Sequence, residues 1–175
     1  RAEANLKPET AEHFILNYQL VNDKRTFRTE LYYKRYTDLV KFVNSNPNDL
    51  TNSGHGYAKG FEFFWRDNAT IKNLDYWVSY SYLDTERDYL DYPVASTPSF
   101  ASTHNFSIVG KKYVSAIKSQ VGVTYSFSSP RTYHNPNKEG FNNGRTPSYQ
   151  DLSMNISYLP KPFLIIHASI TNVLG

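Results

Sequence analysis

The 175-residue chain contains no cysteine and only one methionine, and it has no long hydrophobic run. Without cysteine, a disulfide framework and a thiolate-built zinc or redox site are excluded. The longest apolar run, Phe163-Leu164-Ile165-Ile166, is far shorter than the roughly 20 residues that a membrane-spanning helix needs. The formal net charge is only +3, too mild for a nucleic-acid-binding surface. Any passage through a membrane must therefore use β-strands.

The composition is aromatic and polar at the same time. Tyrosine occurs 15 times and phenylalanine 11 times, yet the mean hydropathy is -0.59. A hydrophobic content of 39% excludes a disordered chain. The shortage of ordinary core aliphatics is nevertheless unlike a soluble globular domain. The composition indicates a protein with two different kinds of surface.

Apolar and polar residues alternate with a period of two through most of the chain. The alternation is clearest over residues 74–82, 121–127 and 151–158, where every second residue is apolar or aromatic. Weaker alternation runs over residues 14–20, 27–34, 60–66, 105–108 and 164–171. This period is typical of strands in a sheet that is wetted on one side. We therefore predict an all-β fold of about eight strands and no helix.

The predicted connections alternate between short and long. The short ones are residues 22–25, 67–73, 114–116 and 159–162, and the long polar ones are residues 44–53, 86–100 and 129–145. Outer-membrane barrels have short periplasmic turns and long extracellular loops. The pattern predicts part of a transmembrane, antiparallel up-and-down β-barrel. A soluble antiparallel sandwich is the alternative, but it does not explain the alternating connections.

The residue types on the apolar face also favour a membrane. Tyrosine and tryptophan suit the membrane–water interface because each ring joins an apolar body to a polar tip. They lie near the predicted strand ends, at Tyr18, Tyr33, Trp65, Tyr80, Tyr82, Tyr125 and Tyr158. Aliphatic residues lie nearer the strand middles, at Leu16, Leu31, Val78, Val123, Met154 and Ile166. We predict that this second set contacts lipid.

Short motifs in a fixed order carry a resemblance to a known family. They are Leu6-Lys7-Pro8-Glu9, Gly60-Phe61-Glu62-Phe63, Tyr80-Ser81-Tyr82-Leu83-Asp84, the segment from Phe100 to His104, and Asn172-Val173-Leu174-Gly175. From Leu6 to Gly175 the chain resembles the C-terminal part of the barrel of TonB-dependent outer-membrane receptors. The resemblance implies that residues 1–175 are part of a plugged barrel of about 22 strands. The plug domain, the box that contacts TonB and the final strand would lie outside them.

The resemblance also implies a function and a set of partners. The function is uptake of a scarce nutrient, such as a siderophore–iron complex, cobalamin or a glycan, with energy from TonB. The place is the outer membrane of a Gram-negative bacterium. The implied partners are outer-membrane lipid, lipopolysaccharide, the TonB complex and a small nutrient ligand, with a surface lipoprotein as a further candidate. A passive porin and a surface-exposed binding or adhesion protein are the alternatives.

No motif in the chain points to an enzyme, and no cofactor or metal site is predicted. The sequence has no H-E-x-x-H, G-x-S-x-G, P-loop or G-x-G-x-x-G pattern. Asp84, Glu86 and Asp88 alternate near a predicted extracellular loop and could offer oxygen ligands to Ca²⁺. A solvated acidic turn is the simpler interpretation of that triplet.

Two predicted loops carry candidate ligand-binding residues. One loop holds Arg87, Tyr89 and Tyr92, and the other holds Arg131, Tyr133 and His134. Cations mixed with aromatic rings can hold an anionic, aromatic or sugar-like ligand by hydrogen bonding and stacking. Ordinary loop decoration, or contact with an anionic lipid surface, is the alternative for any single residue.

Three large apolar residues lie on faces that should point into a wet lumen. They are Phe64, Trp77 and Ile165, all near the predicted periplasmic end of their strands. Exposed apolar area costs roughly 25 cal/mol per Å² relative to burial, so we expect a plug to cover them. Contact between Phe64 and Trp77 is the alternative. Ile15 and Tyr32 also break the alternation, without fitting this explanation.

Overall fold

The chain forms one antiparallel sheet of eight strands that are hydrogen-bonded in chain order. The computed structural model describes residues 6–174. The sheet contains β1 (Thr10–Val21), β2 (Arg25–Val43), β3 (Asn46–Asp67), β4 (Leu74–Asp88), β5 (His104–Val114), β6 (Ser119–Ser128), β9 (Tyr149–Lys161) and β10 (Leu164–Ile170). These are the eight predicted strands, so the all-β, up-and-down prediction is confirmed.

Little other regular structure is present. Two short strands, β7 (Thr132–Tyr133) and β8 (Gly144–Arg145), pair with each other between β6 and β9. A single 3-10 turn, Ser115–Ile117, joins β5 to β6. Between residues 6 and 174, no helix has the length and apolar character to cross a membrane.

The strand register keeps one face of the sheet apolar from edge to edge. Leu31 on β2 lies between Leu16 on β1 and Phe61 on β3. Farther along the sheet, Val123 on β6 lies opposite Met154 on β9. The exposed fraction of these aliphatic side chains is high, from 38% at Val123 to 69% at Leu16. A sheet-wide apolar surface of this kind marks an interaction face, which fits the predicted contact with lipid.

The predicted long connection over residues 44–53 is wrong, because most of it is strand. β2 continues to Val43 and β3 begins at Asn46. Only Asn44 and Ser45 form the turn, with φ of 50° and 59°, as two-residue hairpins of this type require. Apart from Pro47 and Leu50, residues 44–53 are polar, so they carry no alternation from which a strand could be predicted. The β2–β3 hairpin projects at the same end of the sheet as the two long loops, the end that the loop lengths predict to be extracellular.

Aromatic residues contact one another at both rims of the apolar face. At the periplasmic rim, the ring centroids of Phe27 and Trp65 are 6.4 Å apart. At the extracellular rim, the His104 ring lies 6.2 Å from Tyr80 and 5.4 Å from Tyr82. The hydroxyl of Tyr80 is also within hydrogen-bond distance of His104 Nδ1, at 2.9 Å. Rings with polar tips at both rims are the arrangement that bounds the apolar band of a membrane barrel.

A buried carboxylate organises the turn between β3 and β4. Asp67 is 1% exposed, and it accepts hydrogen bonds from the backbone N–H groups of Ala69 and Thr70 at 2.7 and 2.8 Å. It also accepts from the Thr70 hydroxyl at 2.7 Å and from Arg25 Nε at 2.9 Å. The backbone bond from Thr70, aided by the Thr70 hydroxyl, holds the pKa of Asp67 well below its usual range. Because Arg25 begins β2, this contact fixes two neighbouring periplasmic turns together.

The two faces of the sheet should respond differently to a buried charge. We expect Val123→Arg or Met154→Arg to destabilise the whole barrel by about 2–4 kcal/mol, because each places a charge in lipid. Thr124→Arg, on the polar face of β6, should lower the free energy of unfolding much less. Reversible unfolding in lipid vesicles measures the three free energies. Equal costs on the two faces would contradict the lipid assignment.

Candidate ligand-binding and plug-facing sites

The two long loops are bonded to each other at the extracellular end of the sheet. The β4–β5 loop is residues 89–103, and the β6–β9 loop is residues 129–148. The Thr97 carbonyl accepts hydrogen bonds from the Thr132 hydroxyl at 3.0 Å and the Asn142 side-chain amide at 2.9 Å. The buried Ser102 hydroxyl donates to the Ser129 carbonyl at 3.0 Å. The two loops therefore form one unit.

Three of the predicted ligand-binding residues lie in a continuous row of rings across these loops. We call Tyr89, Tyr92, Phe141 and His134 the aromatic row. Successive ring centroids along it are 4.8, 4.7 and 5.3 Å apart. Burial, with a smaller contribution from Tyr92, raises the pKa of Tyr89. The row joins the β4–β5 loop to the β6–β9 loop, which the sequence alone did not predict.

Arg87, at the end of β4, places its guanidinium group beside Tyr89, the first ring of the aromatic row. Its guanidinium carbon lies 4.5 Å from the centroid of Tyr36, 5.5 Å from Phe100 and 5.7 Å from Tyr89. Its Nε is buried and has no hydrogen-bond partner among residues 6–174. Gly56 lies opposite Arg87, and a Cβ atom there would come within 3.0 Å of the Arg87 side chain. A stacked cation that keeps free donor capacity can bind an anionic or aromatic group.

Arg131 and Tyr133 lie outside this arrangement. Both are exposed, and the Tyr133 ring packs over Gly144, where a Cβ atom would be 2.5 Å from it. The β7–β8 pairing therefore accounts for the position of Tyr133. Phe141, Phe100 and Tyr36 were missed because each reaches Arg87 or the aromatic row only through contacts between separate segments of the chain.

The acidic triplet does not form a metal site. Asp84, Glu86 and Asp88 lie along the outer face of β4, opposite Lys59, Tyr57 and His55. Asp84 pairs with Lys59 at 3.1 Å and accepts from the Tyr57 hydroxyl at 3.0 Å, and Asp88 pairs with Lys41. The described residues contain no group of three or more acidic, His or Cys side chains that could hold a metal ion. The simpler interpretation of the triplet as a turn is wrong, because all three residues belong to strand β4.

The polar face carries two carboxylates directly opposite each other. Glu30 on β2 lies across from Glu62 on β3, and like charges in such a pair repel. Glu30 accepts a hydrogen bond from the Asn17 amide at 3.1 Å. Within residues 6–174, neither glutamate forms an ion pair with a lysine or arginine. The pair borders a hollow of about 370 Å³, lined also by Arg28, Phe64, Ser79 and Asn105.

The structure places Phe64 and Trp77 on this polar face, near its periplasmic end. Arg28 lies 6.0 Å from the Phe64 ring, while Arg66 and Lys111 lie 5.9 and 5.2 Å from the Trp77 ring. Their partners are thus cations, and the two rings do not form an aromatic pair with each other in the described part of the chain. Contact between Phe64 and Trp77, the alternative explanation, is therefore not supported.

Ile165 is 63% exposed and sits at a register shift between Leu164 and Ile166. The shift lies in β10, an edge strand of the described sheet. The Ile165 side chain therefore has few contacts with the rest of the described sheet.

A family model described as the TonB-dependent receptor-like β-barrel matches residues 1–173 of the chain. No curated protein matches the chain.

Solved structures share the fold at low sequence identity. The ferric-catecholate import receptor Fiu from E. coli has a TM-score of 0.76 at 14% identity, covering 97% of this chain and 24% of Fiu. The ferric yersiniabactin uptake receptor FyuA from Yersinia pestis has a TM-score of 0.76 at 13% identity, covering 95% and 25%. The FrpB iron transporter from Neisseria meningitidis has a TM-score of 0.73 at 14% identity, covering 97% and 26%. The chain thus spans about a quarter of the length of each.

Proposed function

The chain belongs to the TonB-dependent receptor β-barrel family, and we propose that the whole protein imports a scarce nutrient across the outer membrane of a Gram-negative bacterium. The observation that carries this proposal is the family match over residues 1–173. The two-faced sheet supports it, because one face suits lipid and the other suits a wet lumen. Energy would come from the TonB complex, through a region outside residues 1–175.

An iron–siderophore complex is the proposed substrate class, ahead of cobalamin or a glycan. Fiu, FyuA and FrpB are each named for iron or a ferric complex. The extracellular site favours the same class, because Arg87 and the aromatic row offer one cation beside several stacked rings. Many siderophores are anionic, so that combination can hold them by charge and stacking. Arg131 and Tyr133 lie outside the row, so we do not assign them to this ligand site.

The polar face is the surface that we propose contacts the plug. Glu30 and Glu62 repel each other and form no ion pair with a described lysine or arginine, so a cationic side chain from the plug would stabilise the pair. Phe64 and Trp77 lie on the same face, closer to its periplasmic end, and offer apolar area for contact with the plug. Ile165, whose position in the sequence pattern predicts a lumen-facing side chain, is a further proposed contact of this kind.

The remaining partners follow from the proposed location. The apolar face would contact outer-membrane lipid, and the charged extension of β2–β4 would lie at the level of lipopolysaccharide. A surface lipoprotein remains a further proposed partner at the extracellular loops.

Uptake by living cells tests both the transport and the ligand site. We expect uptake of a radiolabelled ferric siderophore to require this receptor and to stop when TonB is deleted. Tyr92→Ala interrupts the aromatic row and should weaken siderophore binding about twofold to tenfold, since an aromatic contact is worth about 0.5–1.5 kcal/mol beyond its buried area. Tyr133→Ala, the control outside the row, should leave binding near the wild-type level.

Uptake that continues without TonB would instead indicate a passive pore. Equal losses of affinity in Tyr92→Ala and Tyr133→Ala would contradict the assignment of the ligand site to the aromatic row.

The plug contact makes a separate prediction. We expect Trp77→Ala and Glu62→Gln to loosen the plug in the whole receptor, because each removes a proposed contact with it. Hydrogen exchange of plug amides should rise several-fold, and Ile165→Ala should have a smaller effect in the same direction. Ser79→Ala, on the same face, serves as the control. Wild-type plug exchange in all three variants would mean that these residues only pack within the wall.

A further inference from the structure

The apolar face has a notch near its periplasmic rim, centred on Gly110 of β5. Its volume is about 340 Å³, and it is lined mainly by Ile71, Leu74, Tyr76, Ile108, Gly110 and Val123. Within 4 Å, a Cβ atom on Gly110 would meet only Leu74 Cδ1, at 3.9 Å. Tyr76 lies directly opposite Gly110 but does not cover it. The notch is therefore an open, almost wholly apolar hollow, within the usual size range of ligand pockets of about 300–1,000 Å³.

The β3–β4 turn forms the periplasmic end of the notch. The Leu74 N–H donates to the Ile71 carbonyl at 3.2 Å, and the Tyr113 N–H donates to the Asn73 carbonyl at 3.0 Å. These bonds tie the turn to the base of β4 and to the end of β5. Ile71 is 45% exposed. The notch thus opens sideways on the apolar face, and it extends from Leu74 at the start of β4 to Val123 in the middle of β6.

Two lysines border this opening. Lys112 lies on the same face as Gly110, two residues along β5 and opposite Leu74. Lys72 directly follows Ile71 in the turn. Both are exposed, and neither forms an ion pair with a residue between 6 and 174. Lys111, by contrast, points to the polar face, where it lies over Trp77 at 5.2 Å. Two exposed lysines without an ion pair in the described residues therefore neighbour the lining of the notch, Lys72 next to Ile71 along the chain and Lys112 across from Leu74.

We propose that the notch binds an anionic phospholipid of the periplasmic leaflet. One acyl chain would occupy the hollow at Gly110, and the headgroup phosphate would sit between Lys112 and Lys72. Apolar lining alone would accept any acyl chain, whereas the lysines select a negative headgroup. The inference rests on the proposed membrane orientation and goes beyond nutrient uptake, since none of these residues belongs to the extracellular site.

Lipid titration of the whole purified receptor, followed by native mass spectrometry, tests this site. The probes are dioleoyl-phosphatidylglycerol and, with the same chains and no net charge, dioleoyl-phosphatidylcholine. We expect the wild-type receptor to prefer phosphatidylglycerol. Lys112→Gln should weaken that binding about fivefold, the equivalent of about 1 kcal/mol for one lysine near an anionic surface. Gly110→Leu should fill the notch without a backbone clash and weaken binding of phosphatidylglycerol at least about tenfold, the equivalent of about 1.4 kcal/mol.

Matched variants separate this site from general lipid contact. Lys161→Gln removes a lysine at the end of β9, a strand that contributes no residue to the notch, and Leu31→Phe enlarges a lipid-facing side chain on β2. Both should bind phosphatidylglycerol as the wild type does. If Gly110→Leu does not fold, judged by its heat-modifiable mobility on a gel, Gly110→Ala takes its place with a smaller expected loss.

Equal binding of the two lipids, or an unchanged preference in both Lys112→Gln and Gly110→Leu, would overturn the proposal. Displacement of phosphatidylglycerol by lipid A at the notch would overturn it as well. Siderophore uptake by cells carrying Gly110→Leu should stay normal. Absence of uptake in wild-type cells would defeat the proposed function while leaving the lipid measurement as an independent result.

Discussion

A strand inside a bilayer has no water to satisfy its backbone, so each N–H and C=O must pair with a neighbouring strand. The six inner strands of the sheet meet this requirement by antiparallel pairing on both sides, in chain order from β2 to β9, while β1 and β10 each pair on one side within the described residues. Pairing fixes the register, and the register decides which residues share a face, because a slip of one residue would turn every side chain over. The apolar row through Leu16, Leu31 and Phe61 and the polar row through Asn17, Glu30 and Glu62 both follow from this one constraint.

Glycine explains how the polar face tolerates large side chains without filling the lumen. Tyr32 breaks the alternation, yet its ring lies over Gly60, where a Cβ atom would be 2.4 Å from the Tyr32 hydroxyl. Asn155 covers Gly122 in the same way, at 2.7 Å. On the apolar face, Gly110 has no such cover and leaves the notch open. Glycine therefore makes room for a neighbouring side chain on the lumen side, whereas on the lipid side it leaves a hollow in the surface.

Strands with one apolar face and one polar face could be predicted from the sequence, because their residues alternate. Segments surrounded by water on all sides could not, because they have no such alternation. β6 and β9 alternate cleanly because one face of each is apolar, whereas residues 44–53, at the tip of the β2–β3 hairpin, are polar except for Pro47 and Leu50 and have no period. The candidate site divides in a similar way. Mixed cations and rings identified Arg87 and the tyrosines beside it, but the contact that brings in Phe141 depends on loop packing. Nothing local distinguishes Tyr133, which packs on Gly144, from the residues of the aromatic row.

The central claim is that this alternation separates lipid from lumen, and site-directed labelling tests it directly. Because the chain has no cysteine, single cysteines along β6 of the whole receptor, freed of any other cysteine, give unambiguous labels in intact outer membranes. Positions 121, 123 and 125 should react only with a lipid-soluble maleimide, and positions 120, 124 and 126 with a water-soluble one. A reactivity that alternates residue by residue would support the account. Uniform reactivity along β6, with either reagent, would contradict it.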